Sequence, residues 1–100
     1  MDQKEAILIA KNFLNSIQEI VQVESAYLFG SYSDGTQRPE SDIDIGLFIK
    51  SPETDYFDIL SALYRKRIFI EPLLEPYLFI SGEGPLGFGE NVKKTGVRLC

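Results

Sequence analysis

Leu28-Phe29-Gly30-Ser31-Tyr32-Ser33-Asp34-Gly35, followed after a polar loop by Ser41-Asp42-Ile43-Asp44-Ile45, decides how this chain is read. An apolar run enters a Gly-Ser turn. A second apolar run opens with two aspartates separated by one isoleucine. Alternate side chains of a strand point to opposite faces, so residues two apart share a face. Asp42 and Asp44 therefore project together, with Ile43 and Ile45 turned the other way. Neighbouring carboxylates repel unless a cation neutralises them. An all-oxygen donor set suits a divalent cation, magnesium above all. The Gly-Ser turn can offer backbone N–H groups and a hydroxyl to a phosphate. Acidic metal ligands facing a phosphate cradle are the working parts of phosphoryl or nucleotidyl transfer.

Composition narrows the field. A chain of 100 residues reads as one domain, 1–100. At this length about two-thirds of the unfolded surface is buried, and nothing is left for a second substrate-binding domain. The net charge of −5 argues against general nucleic-acid binding, which needs an excess of lysine and arginine. The absence of histidine removes imidazole bases and zinc–histidine sites. A single cysteine, Cys100, fits a reducing compartment without a disulfide framework. No apolar run approaches the roughly 18 residues of a membrane span, and no signal peptide opens the chain, so a cytoplasmic location is expected.

The spacing of Ala6, Ala10, Phe13, Ile17 and Ile20 predicts a helix over 3–22, with Asp2 as its cap and Glu5 completing a capping box. Ala26 to Phe29 read as a short strand, Ser33 to Gly35 as a helical turn, and Ile43 to Ile49 as the second strand. Ser51-Pro52 signals the start of a helix that runs through Arg65. Ile68 to Leu74 read as a third strand, Ser81 to Gly89 as a glycine-rich loop, and Phe88 to Thr95 as a last helix closed by a left-handed Gly96. Val97-Arg98-Leu99 can add an edge strand. This order fits an α/β (α+β) fold, a small mixed β-sheet with helices packed on one face.

The pattern of Leu28-Phe29-Gly30-Ser31 followed by Asp42-Ile43-Asp44 resembles the signature of the DNA polymerase β-type nucleotidyltransferases. The chain length resembles the minimal members of that family. The resemblance implies transfer of a nucleoside monophosphate, AMP from ATP, to a hydroxyl acceptor with two Mg2+ ions. It implies metal and catalytic roles for Asp42 and Asp44, and a third carboxylate acting as general base on the acceptor. Glu71 is the expected third acid, flanked by apolar residues where a charge needs a reason; Glu75 is the alternative. Gly30 and Ser31 would contact the triphosphate. Asp34 departs from the family, where lysine or arginine is common, and Arg38 is the candidate substitute cation. Arg65-Lys66-Arg67 reads as a helix end complementing the dipole, or as a phosphate or partner contact.

Minimal nucleotidyltransferases are commonly encoded beside a small helical HEPN-domain protein, and many act as the antitoxin of the pair. The resemblance therefore implies a HEPN-type partner, with a tyrosine hydroxyl as acceptor. Two other readings fit the same residues. One is an inert module that neutralises a toxin by contact. The other is the nucleotide-binding subunit of a split small-molecule nucleotidyltransferase.

Overall fold

A computed structural model describes residues 1–50, 52, 54–80 and 87–100. Four strands, β1 (Ser25–Phe29), β2 (Ile43–Ile49), β3 (Leu74–Ile80) and β4 (Val97–Arg98), form one sheet in the order β3-β2-β1-β4. β1 pairs antiparallel with both β2 and β4, while β2 and β3 are parallel. Parallel neighbours need a crossover, supplied here by the helix α3 (Tyr56–Ile68). The sheet is mixed and small, as the order of elements implies. No described helix is long and apolar enough to cross a membrane.

The two faces of β2 do different work. Ile43, Ile45, Leu47 and Ile49 are buried against Ala6, Ala10, Phe13 and Leu14 of α1 (Gln3–Ser16) and Ile59 and Leu63 of α3. Each such aliphatic side chain contributes about 1.5–3 kcal/mol by leaving water. The opposite face carries Asp44, Gly46 and Phe48. The short α4 (Phe88–Thr95) packs there, with Val92 joining Tyr27 and Phe48 in a second, smaller cluster. The longer helices thus share one face, and among the described residues α4 alone takes the other.

Several expected boundaries move. The first helix ends at Ser16 rather than at 22, because the Ser16 hydroxyl donates to the Phe13 carbonyl at 2.7 Å and a tight turn follows. Ile20 and Val21 still pack on the core from that turn, which is why the apolar spacing outlasts the helix. The helical turn after β1 is α2 (Ser31–Asp34), starting two residues before the expected Ser33. α3 begins at Tyr56, with the Asp55 carboxylate accepting from the Phe57 N–H, so Pro52 is not its first residue. Ser51 and residues 81–86 of the glycine-rich loop lie outside the described residues. α4 has the expected bounds, but Gly96 is extended (φ −80°, ψ 168°), not left-handed. Glycine is needed there for space instead: a Cβ would lie 2.6 Å from the Val92 carbonyl oxygen and 2.9 Å from that of Leu28.

The largest correction concerns Ile68 to Leu74, expected as the third strand. α3 runs on to Ile68 and closes through successive turns, with the Phe69, Ile70 and Glu71 N–H groups donating back to Lys66 and Arg67 carbonyls. The strand begins only at Leu74. Its burial alternates, with Leu74, Pro76 and Leu78 inward. Pro76 is tolerated because β3 is an edge strand.

Tyr32 of α2 is fully buried, and its hydroxyl has no hydrogen-bond partner among the described residues. Burial pushes the phenol pKa up, and Glu71 and Glu5 add to the shift. A buried polar group without a partner costs stability that an isosteric apolar ring does not. Tyr32→Phe is therefore expected to raise the unfolding free energy by about 1 kcal/mol. Urea denaturation at neutral pH measures this, and a loss of stability would mean that the hydroxyl makes a bond worth keeping.

Candidate functional site

The strand β2 starts immediately after Asp42, and the Ile43 N–H is anchored by the Leu73 carbonyl at 2.8 Å. Asp44 is the second residue of β2. In register, it lies between Phe29 of β1 and Glu75 of β3. One carboxylate oxygen from each of Asp42, Asp44 and Glu75 falls within 4.8 Å of the others. Asp42 is exposed, while Asp44 and Glu75 are half-buried. The cluster thus sits at the rim of the sheet, open on one side.

The expected third acid is the one the strand shift displaces. Glu71 sits in the turn after α3, and its carboxylate accepts from the Leu73 N–H at 3.0 Å. It shapes the approach to β3 and is not among the converging carboxylates. Glu75, the alternative, is. The parallel pairing of β2 and β3 puts it beside Asp44, where neither turn nor loop could hold it as firmly.

Arg67 fixes that register. From the last turn of α3 its guanidinium donates to the Pro72 carbonyl at 2.8 Å and the Leu74 carbonyl at 2.9 Å. It also lies 4.7 Å from the centre of the Tyr64 ring. Among Arg65-Lys66-Arg67, then, Arg67 is a clamp on the start of β3, Lys66 pairs with Glu19 at 3.4 Å, and Arg65 is exposed.

Gly30 is the tightest constraint. Its φ of 73° suits only glycine, and a Cβ there would collide with the Asp44 carboxylate. The turn between β1 and α2 and the second metal-type acid are therefore in direct contact. Ser31 opens α2. The N–H groups of a helix's first turn have no intrahelical acceptors, so those of Ser31 and Tyr32 remain available at this turn. Ser33 closes the other side by donating to the Gly30 carbonyl at 2.9 Å.

Asp34 and Arg38 are loop residues with different roles. The Asp34 carboxylate accepts from the Thr36 hydroxyl at 2.6 Å and the Thr36 N–H at 3.1 Å, bonds that hold its pKa below the ordinary value. These bonds to Thr36 close the end of α2. Arg38 is exposed, and its backbone N–H donates to the Ser41 hydroxyl at 2.8 Å. Its guanidinium has no partner among the described residues.

The electrostatics of the cluster are those of acids crowded together. Burial, then Glu75, then Asp42, push the Asp44 pKa from 3.8 up to about 6. Glu75 is raised by burial and by its hydrogen bond and repulsion with Asp42, while Tyr77 and Arg67 pull it back. Such a site gains from any cation that its oxygens can reach, which is what a divalent-metal site made of carboxylates requires.

Two side chains went unnoticed in the sequence. Burial, with Asp44 and Glu75 beside it, pushes the Tyr77 pKa to about 12. Tyr64 faces the same acids from α3; burial and Glu75 raise its pKa while Arg67 opposes. The alternation of Glu75, Tyr77 and Phe79 against Leu74, Pro76 and Leu78 was the available signal, hidden by the proline. A cavity of about 780 Å³ lies at the opposite end of β2 beside Ile49, Lys50 and Ile59 and includes none of these acids.

A sequence model of the nucleotidyltransferase domain matches residues 10–95. Among solved structures, a candidate nucleotidyltransferase from Sulfolobus solfataricus superposes with a TM-score of 0.70 at 26% identity, covering 96% of this chain and 80% of that one. A toxin–antitoxin structure with AMP-PNP superposes with a TM-score of 0.67 at 25% identity, covering 90% of this chain and 72% of that one. A search among curated proteins gave no significant match.

The acid cluster makes stability depend on pH and on cations. Unfolded, Asp44 titrates near 3.8; folded, near 6. Between these values the folded protein binds the extra proton. Stability contributed at low pH is lost as pH rises through this window, and the penalty is complete above it. Glu75 acts in the same direction. Without divalent cations, urea unfolding is expected to show stability falling between about pH 4 and pH 6, with a shallower slope in Asp44→Asn. Added magnesium should recover stability at neutral pH in the parent chain but not in the variant. An equal gain in both would place the ion elsewhere.

Proposed function

The chain belongs to the nucleotidyltransferase domain family, and from that premise we propose that it transfers a nucleoside monophosphate, AMP from ATP, to a hydroxyl acceptor. The observation that carries this reading is the convergence of Asp42, Asp44 and Glu75 beside the Gly30–Ser31 turn. Asp42, Asp44 and Glu75 would hold divalent cations, magnesium by their all-oxygen chemistry. Bound there, the metal would supply charge stabilisation for the attacking and leaving oxygens.

The remaining work falls to this chain's own groups. The Ser31 hydroxyl and the N–H groups at the start of α2 donate to the triphosphate oxygens. Gly30 lets that turn and the Asp44 carboxylate approach each other, so phosphate and acids are held in one place. Glu75 receives the proton of the attacking hydroxyl. Its raised pKa brings it nearer to the working range of a general base than an ordinary glutamate. Tyr77, the next residue on the same face of β3, would flank that carboxylate. Arg38, with an unpaired guanidinium, is the cation for the outer phosphates that the family resemblance asks of Asp34.

The toxin–antitoxin neighbour with AMP-PNP supports ATP as donor and a protein as partner. A HEPN-type toxin with a tyrosine acceptor is the partner proposed, and modification of that tyrosine would be the antitoxin activity. The free thiol of Cys100 is consistent with work in the reducing cytoplasm.

Incubation of the purified protein with ATP, magnesium and its helical partner is the direct test. The partner should gain the mass of one or more adenylates. Glu75→Gln should slow transfer by about 100-fold or more, and Glu71→Gln by less than about 3-fold. The reverse ranking would return the base to the turn after α3. Toxin neutralised without any mass gain would favour inhibition by contact alone.

A further inference from the structure

On the face of the sheet that bears the acids, the next row along the strands is aromatic. Phe29 lies opposite Asp44, and Tyr77 follows Glu75 on the same face of β3, opposite Gly46. Two residues of strand span about 6.6 Å, so Tyr77 stands one same-face step from the third acid. Phe29 directly precedes the Gly30–Ser31 turn. Gly46 has no side chain to separate them, so rings from β1 and β3 meet across β2, their centres 5.1 Å apart. Phe88, the first residue of α4, completes a triangle at 6.0 Å from each.

The two ends of this aromatic row differ. At the far end, Phe48 and Phe79 are stacked 4.9 Å apart, Lys93 lies over the Phe48 ring, and Phe48 is only 4% exposed. That end is closed. Phe88 reaches from Phe79 at that end, 5.3 Å away, to Phe29 and Tyr77 near the acids; every one of its ring contacts is edge-to-face, and it is 40% exposed. No ring is stacked on it among the described residues. A cluster that served only to cover the sheet would be closed at both ends. Among the described residues this one is left open on the side of Phe29 and Tyr77, next to the acids and the phosphate-type turn.

We propose that Phe29, Tyr77 and Phe88 form the platform on which the base of the nucleotide stacks, with Phe88 as the residue in face contact. The proposal rests on the nucleotidyl-transfer reading and deepens it toward specificity. Phe29 and Phe88, the latter in face contact with the base, offer no hydrogen-bonding group. The platform reads π-surface, not base edges. Larger rings stack better, so purine nucleotides are favoured over pyrimidine nucleotides, with little discrimination between adenine and guanine.

Calorimetric titration in magnesium with ATP, GTP, CTP and inorganic tripolyphosphate tests this. The wild-type chain should bind ATP and GTP within a few-fold of each other, and CTP more weakly. Phe88→Ala should weaken ATP and GTP by about 5- to 100-fold and leave tripolyphosphate unchanged. Phe88→Trp, which keeps the packing and enlarges the π-face, should bind ATP at least as tightly as wild type. A parallel loss of tripolyphosphate in Phe88→Ala, or weakened ATP binding in Phe88→Trp, would make Phe88 a packing residue and overturn the proposal. So would unchanged ATP affinity in Phe88→Ala. A wild-type chain that bound neither ATP nor tripolyphosphate would instead overturn the underlying nucleotidyl-transfer reading. Tripolyphosphate binding thus separates the two failures.

Discussion

The Asp44 carboxylate occupies the space that a side chain at position 30 would need. Much else in the molecule follows from that contact. It ties the end of β1 to the start of β2 where the chain must turn sharply. Glycine at position 30 also permits the positive φ from which α2 departs at once. A Cβ at this position would push apart the turn and the acid together. Local turn geometry and the placement of a charged group are the same constraint here, which is why the Gly-Ser pair and the spaced aspartates occur as one unit.

Glu75 completes the cluster by a different route. It is separated from Asp44 by a whole helix in sequence, and only the parallel pairing of β2 with β3 brings the two together. That pairing depends on where β3 begins. Arg67 sets the starting point by bonding two carbonyls, those of Pro72 and Leu74, across the turn that leaves α3. A one-residue slip would turn Glu75 to the core face and bring Leu74 or Pro76 to the acids. The inward set Leu74, Pro76 and Leu78 resists that slip through burial, and Arg67 resists it through hydrogen bonds. The core and the clamp therefore protect the site geometry from the face opposite to it.

The sequence was most legible where chemistry and local geometry coincide. Gly30, Asp42 and Asp44 lie close in the chain, and the period-2 rule alone put the acids on one face. The bounds of β2 and α4 were equally plain from apolar runs and glycine punctuation. Position 68 onward was opaque for a physical reason. Ile68-Phe69-Ile70 has strand-like residues but continues a helix whose end is fixed by long-range pairing. The true strand contains Pro76, which ordinarily argues against a strand and is permitted only at a sheet edge. A strand taken to start at Ile68 favours Glu71 as the third acid, while a strand starting at Leu74 places Glu75 beside Asp44. Gly96 shows a subtler limit: the need for glycine was readable, but its cause was crowding by two carbonyl oxygens, not a left-handed cap.

The cost of the acid cluster also shapes the distribution of stability. Burial and mutual repulsion raise Asp44 and Glu75, so the folded chain holds them at a disadvantage at neutral pH. That disadvantage falls at one rim of the sheet, while the compensating apolar burial lies on the other face, in the layer of α1 and α3. Separating the two lets the acids stay half-open to solvent and to cations without wetting the core. Among the described residues, the acid-bearing face is covered by the single short α4. A longer helix there would bury Asp44 further and drive its proton affinity higher. Full coverage would favour the protonated acid, and metal coordination requires the ionised one. The sparse covering of this face by the described residues thus leaves the crowded carboxylate cluster open to cations.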